Sequence, residues 1–170
     1  MTWSVLTLVG EDRPGIVAAV STALFDAGCQ LAEASMMQLG GNFAIMLRVE
    51  HQAGLALDEL LAPVLEDMKL HLHLDEDVAA AGQQAEPDVH ITVYGADRTG
   101  IVAQVTGALA EAGLNIIDLE TAVGGSAERP IYIMSMEGTA SRGLAALQQA
   151  VDVLGDDIDV TLTAVETVRG

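Results

Sequence analysis

The chain has 170 residues, 51% hydrophobic and 19% charged, with 7 Lys and Arg against 25 Asp and Glu for a formal net charge of −18. That length accommodates one large core or two small ones. So acidic a balance repels a phosphate backbone, and with no local basic patch it argues against direct nucleic-acid binding.

Trp3, Val5, Thr7 and Val9 alternate with Ser4, Leu6 and Leu8, which predicts a strand buried on both faces. Gly10-Glu11-Asp12-Arg13-Pro14-Gly15-Ile16-Val17-Ala18 leads into a helical stripe of Ile16, Val17, Val20, Leu24 and Ala27. Asp12 is the expected N-cap, Pro14 suits the first helical turn, and Gly28 sits where a left-handed C-terminal cap belongs. Extended runs over Leu31–Leu39 and Asn42–Glu50 flank Gly40-Gly41, a hairpin turn. Leu57, Leu60, Leu61, Val64, Leu65 and Met68 mark a second helix, which Pro63 is expected to kink or split into two turns. Leu70, Leu72 and Leu74 then alternate with His71, His73 and Asp75, a strand with one wet face. Val78 to Pro87, rich in Ala, Gln and Gly without apolar periodicity, reads as a linker between domains at 1–77 and 88–170.

The second domain repeats the first. Gly95-Ala96-Asp97-Arg98-Thr99-Gly100-Ile101-Val102-Ala103 returns the loop motif 85 residues later (95 − 10), and Ala112-Gly113 returns Ala27-Gly28. Ile45-Met46 matches Ile133-Met134 at an offset of 88 (133 − 45), which assigns three extra residues to the region from Ser126 to Pro130. Val89, Ile91 and Val93 give the first strand, and Ile101, Val102, Val105, Leu109 and Ala112 the helix. Leu114–Val123 and Ile131–Glu137 give the middle strands. Leu144, Leu147, Val151 and Leu154 form the second helical stripe with Ser141 as its cap, and Asp159–Val165 the last strand. The order is βαββαβ twice. The expected fold is α+β: two tandem ferredoxin-like modules with antiparallel four-stranded sheets, each carrying two helices on one face. The two copies on one chain can cover the open second face with each other, and the exposed edges point to a homodimer that extends it.

The recurring loop carries the chemistry. It places a helix N-terminus, with bare N–H groups and partial positive charge, after a strand. Gly15 and Gly100 let a ligand approach the backbone, and a carboxylate is a natural guest. Pro14 has no N–H, so Gly15 and Ile16 are the expected donors in the first copy, while Thr99 adds a donor and a hydroxyl in the second. Asp12 or Asp97 can cap or face an ammonium, and Arg13 or Arg98 can pair with a carboxylate or a neighbouring module. Plain capping and turn formation is the competing reading.

Asp-Arg-Pro-Gly-Ile-Val after a short strand, followed by Ala-Gly-x-(Gln/Asn)-(Leu/Ile), resembles the ACT domain, and the resemblance covers both halves. Two such modules on a short linker resemble the glycine cleavage system transcriptional repressor group. The resemblance implies an amino-acid sensor, with glycine the favoured effector and no cofactor. Its site would comprise Glu11, Asp12, Arg13, Pro14, Gly15, Ile16 and Gln30, and in the second copy Ala96, Asp97, Arg98, Thr99, Gly100, Ile101 and Asn115. It implies action through a DNA-binding transcriptional activator; the alternative is a stand-alone amino-acid-binding regulatory subunit of a metabolic enzyme. The loop also resembles the sensing end of formyltetrahydrofolate deformylase, but a second sensor stands where that enzyme has its catalytic domain, so no enzymatic activity is expected.

Other features point to packing. His71, His73 and Asp75 share a strand face but offer only three metal ligands, so no metal is expected. Met36-Met37, Met46 and Met134 read as core filling in preference to an adaptable contact surface. Gly124-Gly125, like Gly40-Gly41, reads as a turn. Cys29, the one cysteine, follows a helix C-terminus that gives a thiolate no support, and no nucleophile elbow occurs. No secretory signal or membrane-length apolar run is visible, which suits a cytoplasmic location.

Overall fold

The computed structural model describes residues 1–79 and 85–165. The chain divides into two compact units, Met1–Gly82 and Gln83–Gly170. The expected linker at 78–87 lies partly outside the described residues.

The first unit runs β1 (Thr2–Glu11), α1 (Ile16–Asp26), β2 (Gln30–Leu39), β3 (Asn42–His51), α2 (Leu57–Met68) and β4 (Leu70–Asp75). The second runs β5 (Val89–Ala96), α3 (Ile101–Glu111), β6 (Leu114–Ser126), β7 (Arg129–Ala140), α4 (Leu144–Val151) and β8 (Ile158–Ala164). Each unit holds one antiparallel four-stranded sheet, of order β2-β3-β1-β4 and β6-β7-β5-β8. The expected α+β fold of two βαββαβ modules is thus the observed one.

Each sheet buries one face under its own helices. In the first unit Leu6, Leu8, Ile45 and Leu47 pack with Ile16, Val20, Leu24, Leu57 and Leu61. In the second, Ile91, Val93, Met134 and Met136 pack with Ile101, Val105, Leu109 and Leu147. β1 is therefore not buried on both faces: Ser4, Leu6 and Leu8 are enclosed, while Trp3, Val5 and Thr7 are half-buried and Val9 is exposed. The period of two puts alternate residues on opposite faces, and the helices cover only one.

α1 ends in a paired cap: Gly28 donates to the Phe25 carbonyl at 2.9 Å and Cys29 to that of Leu24 at 3.0 Å. α2 runs as one helix through Pro63, so of the expected kink or split the split does not occur. One lost backbone hydrogen bond is outweighed by the apolar stripe of Leu57, Leu61 and their neighbours on the sheet. Ser141 does not cap α4, whose N-cap is Gly143. Its hydroxyl donates instead to the Gly113 carbonyl at 2.8 Å.

The sheets correct the match between the repeats. Gly10 pairs with Phe43 and Gly95 with Tyr132, so β7 is offset from β3 by 89 residues (132 − 43), not 88. Ile45 corresponds to Met134 and Leu47 to Met136, and all four are buried. Both hairpins keep two-residue turns, since Leu39 pairs with Asn42 and Ser126 with Arg129. The second hairpin therefore gains two residues on each arm, four in place of the expected three. An odd insertion would have turned every later side chain to the wrong face. Consequently Gly124 and Gly125 lie within β6, opposite Ile131 and Pro130, and do not form the turn. The middle strands are longer than their apolar runs suggested. Met134 fills the core as expected, but Met36, Met37 and Met46 are exposed, the first two on an edge strand that no helix covers.

Candidate functional site

Each recurring loop leaves the end of a first strand, β1 or β5, and enters a helix, α1 or α3. Gly15 and Gly100 are the N-caps, with φ of 93° and 87°, the left-handed region. A Cβ on either would meet nothing within 4 Å. Backbone conformation, not crowding, asks for glycine there, at about 1–2 kcal/mol for an L side chain. The Gly15 carbonyl accepts from the Ala19 amide and the Gly100 carbonyl from the Gln104 amide, both at 2.9 Å.

Neither helix start has a side-chain cap. Asp12, the expected cap of α1, sits three residues before the true N-cap and faces the hairpin. Its amide donates to the Gly41 carbonyl at 3.0 Å, and its carboxylate accepts from Gln38 Nε2. Pro14 lies in the turn before the N-cap, outside the first helical turn. The leading amides of α1 and α3 thus keep the partial positive charge of an uncapped helix start. In the second copy, however, the Ile101 amide turns toward the Arg98 carbonyl at 3.4 Å.

The two arginines have different surroundings. Arg98 Nε donates to Asp157 Oδ2 at 3.1 Å and its Nη2 to Gln104 Oε1 at 2.6 Å; Gln104 Nε2 in turn donates to the Leu154 carbonyl at 3.0 Å. Arg13 makes no hydrogen bond among the described residues and approaches Glu11 only at 3.6 Å.

Within a unit the structure brings Glu11–Ile16 together, and likewise Ala96–Ile101, but not Gln30 or Asn115 with its loop. Gln30 pairs with Glu50, which pairs with Trp3, at the opposite end of β1 from Glu11. Eight residue steps separate those ends, about 27 Å at the usual rise. Asn115 likewise pairs with Thr139, at the β5 start and away from its loop. Gln38, Gly41, Gln104 and Asp157 were not foreseen as loop partners; strand register places Gln38, Gly41 and Asp157 there, and the first turn of α3 places Gln104, six residues after Arg98.

Two depressions fit a zwitterion poorly. One, about 10 Å³, beside Ile16 at the start of α1, is lined by apolar side chains including Val20, Phe43 and Ile45. The other, about 240 Å³, carries Asp152, Asp156 and Asp159, which repel a carboxylate. His73 Nε2 lies 3.3 Å from Asp75 Oδ1, but among the described residues no group of three or more His, Cys, Asp or Glu is placed to hold a metal ion. Cys29 is half-buried, and burial pushes its thiol pKa up, away from the reactive thiolate.

The model of the ACT domain family matches residues 3–75 and 88–164. Two curated relatives, both called UPF0237 protein, are 38% identical over 73 residues in Methanosarcina mazei and 37% identical over 73 residues in Methanosarcina acetivorans. Each alignment covers 41% of this chain and 75% of the relative. Among solved structures, an unknown protein from Galdieria sulphuraria superposes with a TM-score of 0.81 at 24% identity, covering 97% of this chain and 99% of the other. A candidate glycine cleavage system transcriptional repressor superposes with a TM-score of 0.70 at 20% identity, covering 97% and 98%. At these identities the structural likeness is one of fold.

Proposed function

The chain belongs to the ACT domain family, a family of regulatory domains, and from that premise we propose that it is an amino-acid-sensing regulator in which a strand-to-helix loop receives the ligand's carboxylate. The observation that carries this reading is the loop itself: in both units a left-handed glycine opens a helix whose leading amides have no side-chain cap. Glu11–Ile16 and Ala96–Ile101 form the two candidate sites, with Gln30 and Asn115 as contacts only if a neighbouring module supplies them.

Glycine is the favoured effector, and the favoured role is repression of glycine cleavage through contact with a DNA-binding transcriptional activator. Likeness of fold to the candidate repressor, over nearly the whole of both chains, supports that role. A net charge of −18 supports contact with a basic protein partner over contact with nucleic acid. We take the protein to be non-catalytic, cytoplasmic and homodimeric, with 78–87 as its interdomain linker. No helix among the described residues is long and apolar enough to cross a membrane.

The size of the ligand bounds the affinity. The best tiny ligands gain about −1.5 kcal/mol per heavy atom, so glycine reaches about −7.5 kcal/mol, a Kd of micromolar at best. Calorimetry of the folded protein against the twenty amino acids tests the reading. Saturable binding of glycine is expected, and the absence of binding by any of the twenty up to millimolar concentration refutes it. Pull-downs with and without glycine should recover a DNA-binding activator; recovery of a metabolic enzyme instead would favour the regulatory-subunit role.

A further inference from the structure

We propose that the two loops have diverged into a receptor and a strut: Arg13 of the first repeat receives the ligand's carboxylate, whereas Arg98 of the second holds its own loop in place and receives none. This rests on the loop reading above and says which copy performs it.

The argument is the replacement of both Arg98 partners in the first repeat. Gln104 lies four residues after the N-cap glycine, and its counterpart is Ala19, as the two matching amide-to-glycine hydrogen bonds show. Alanine has no acceptor to offer. Asp157 immediately precedes Ile158, which pairs with Gly95; the residue preceding Leu70, which pairs with Gly10, is Lys69. The carbonyls of the two residues face the same glycine, although Lys69 is left-handed, with φ of 53°, and Asp157 is not. A Cβ on Gly10 would lie 2.9 Å from the Lys69 carbonyl oxygen, and one on Gly95 would lie 3.5 Å from that of Asp157. The position of the acid that pairs with Arg98 is thus filled in the first repeat by a lysine, which offers Arg13 no acceptor.

The aspartates change in the opposite sense. Asp12 is held by Gln38 and Gly41. The register position of Gln38, opposite Phe43, is filled in the second repeat by Val123, opposite Tyr132, and the longer hairpin displaces the turn that contained Gly41. Asp97 makes no hydrogen bond among the described residues and is exposed. The first loop therefore presents an engaged carboxylate and a guanidinium that is ion-paired with Glu11 at 3.6 Å but donates no hydrogen bond among the described residues. The second presents an engaged guanidinium and an unengaged carboxylate. A bidentate guanidinium is the natural partner of a ligand carboxylate, and a bare Asp repels it.

Amide-resolved NMR of the full chain tests this, with glycine and then a mixture of the other nineteen amino acids as probes. Saturable shifts are expected at the Gly15 and Ile16 amides and not at Gly100 and Ile101. Arg13→Gln should weaken binding on the order of tenfold or more. Arg98→Gln should leave affinity unchanged while lowering the thermal midpoint. Gln104→Ala with Asp157→Lys, which gives the second loop the first loop's surroundings, should release Arg98 and bring on shifts at Gly100. Equal shifts at both loops, or affinity lost with Arg98→Gln and kept with Arg13→Gln, overturn the division while leaving the sensor reading intact. No saturable shift at either loop with any probe overturns both.

Discussion

The two repeats share element order, sheet order and the glycine-capped loop, yet they anchor that loop to opposite sides. The first ties its aspartate to the β2–β3 hairpin, through Gln38 and Gly41. The second ties its arginine to the segment between α4 and β8, through Asp157, with Gln104 reaching the Leu154 carbonyl. A repeated motif thus preserves a backbone shape more faithfully than it preserves the engagement of the side chains it carries. Shape follows from left-handed glycines and a buried helix stripe, whereas engagement depends on residues 6, 26 and 59 positions away.

The largest effect that could break the comparison lies in its register. If β3 and β7 are offset by 89, Met134 is a core residue and Met46 a surface one. Met134→Ala should cost about 2–5 kcal/mol through lost burial and a residual cavity. Met46→Ala, on the exposed face, should stay within about 0.5 kcal/mol. Urea unfolding of the two variants decides it, and equal costs would restore the offset of 88.

That register marks the limit of what the sequence discloses. The recurrence of Gly-x-Asp-Arg-x-Gly-Ile, the helix stripes and Gly40-Gly41 were legible because each acts over a few neighbouring residues. Ile45-Met46 and Ile133-Met134 look alike as dipeptides, but a strand alternates faces, so likeness one residue out of step pairs a core position with a surface one. The placement of Gln30 and Asn115 at the far end of the sheet was equally hidden, because following a helix in sequence says nothing about which end of the sheet the chain reaches. Asp12 reads as an N-cap until the left-handed glycine is seen to take that place.

Next in size is the glycine before each loop. A Cβ on Gly10 would stand 2.9 Å from a backbone oxygen and 2.8 Å from Leu70 Cδ2, whereas one on Gly95 would meet Ile101 Cδ1 at 2.6 Å and the nearest backbone oxygen at 3.5 Å. A side-chain methyl can rotate away more readily than a strand backbone can shift. Gly10→Ala should therefore cost about 1–3 kcal/mol, and Gly95→Ala less. Chemical denaturation of both variants reads the difference, and a larger cost at Gly95 would show that the first repeat is the more tolerant.

The arginines come third. The Arg98–Asp157 pair is partly exposed, at 37% and 53% of the side-chain surface. Solvent screening then limits Arg98→Gln to about 1 kcal/mol or less. Arg13→Gln should be neutral for stability, since its contact with Glu11 is long and the Glu is 73% exposed. A double-mutant cycle on Arg98 and Asp157, repeated at high salt, should show a small coupling that shrinks with ionic strength. A comparable stability loss at Arg13 would mean that the first loop, too, is braced by its arginine.

The smallest effect concerns the residue after each first helix. Gly28 is followed by Cys29 and Gly113 by Leu114, and both side chains lie against their own cores, Leu114 fully buried and Cys29 partly so. Only the cysteine can ionise, and burial raises its pKa above the ordinary thiol value of 9.0. Below that value both folded and unfolded chains hold the proton, and its contribution to stability is fully present. As pH rises through it, the unfolded chain releases the proton first, so stability is lost progressively until the folded thiol also ionises. Cys29→Leu, which gives the first repeat the side chain of the second, should remove that loss. Its urea midpoint should fall less between pH 8 and pH 10 than that of the parent, about the alkaline range in which a thiol titrates. The other titrating groups are common to both proteins and cancel in the difference. Parallel pH dependences would mean that the Cys29 thiol ionises as readily in the folded chain as in the unfolded one.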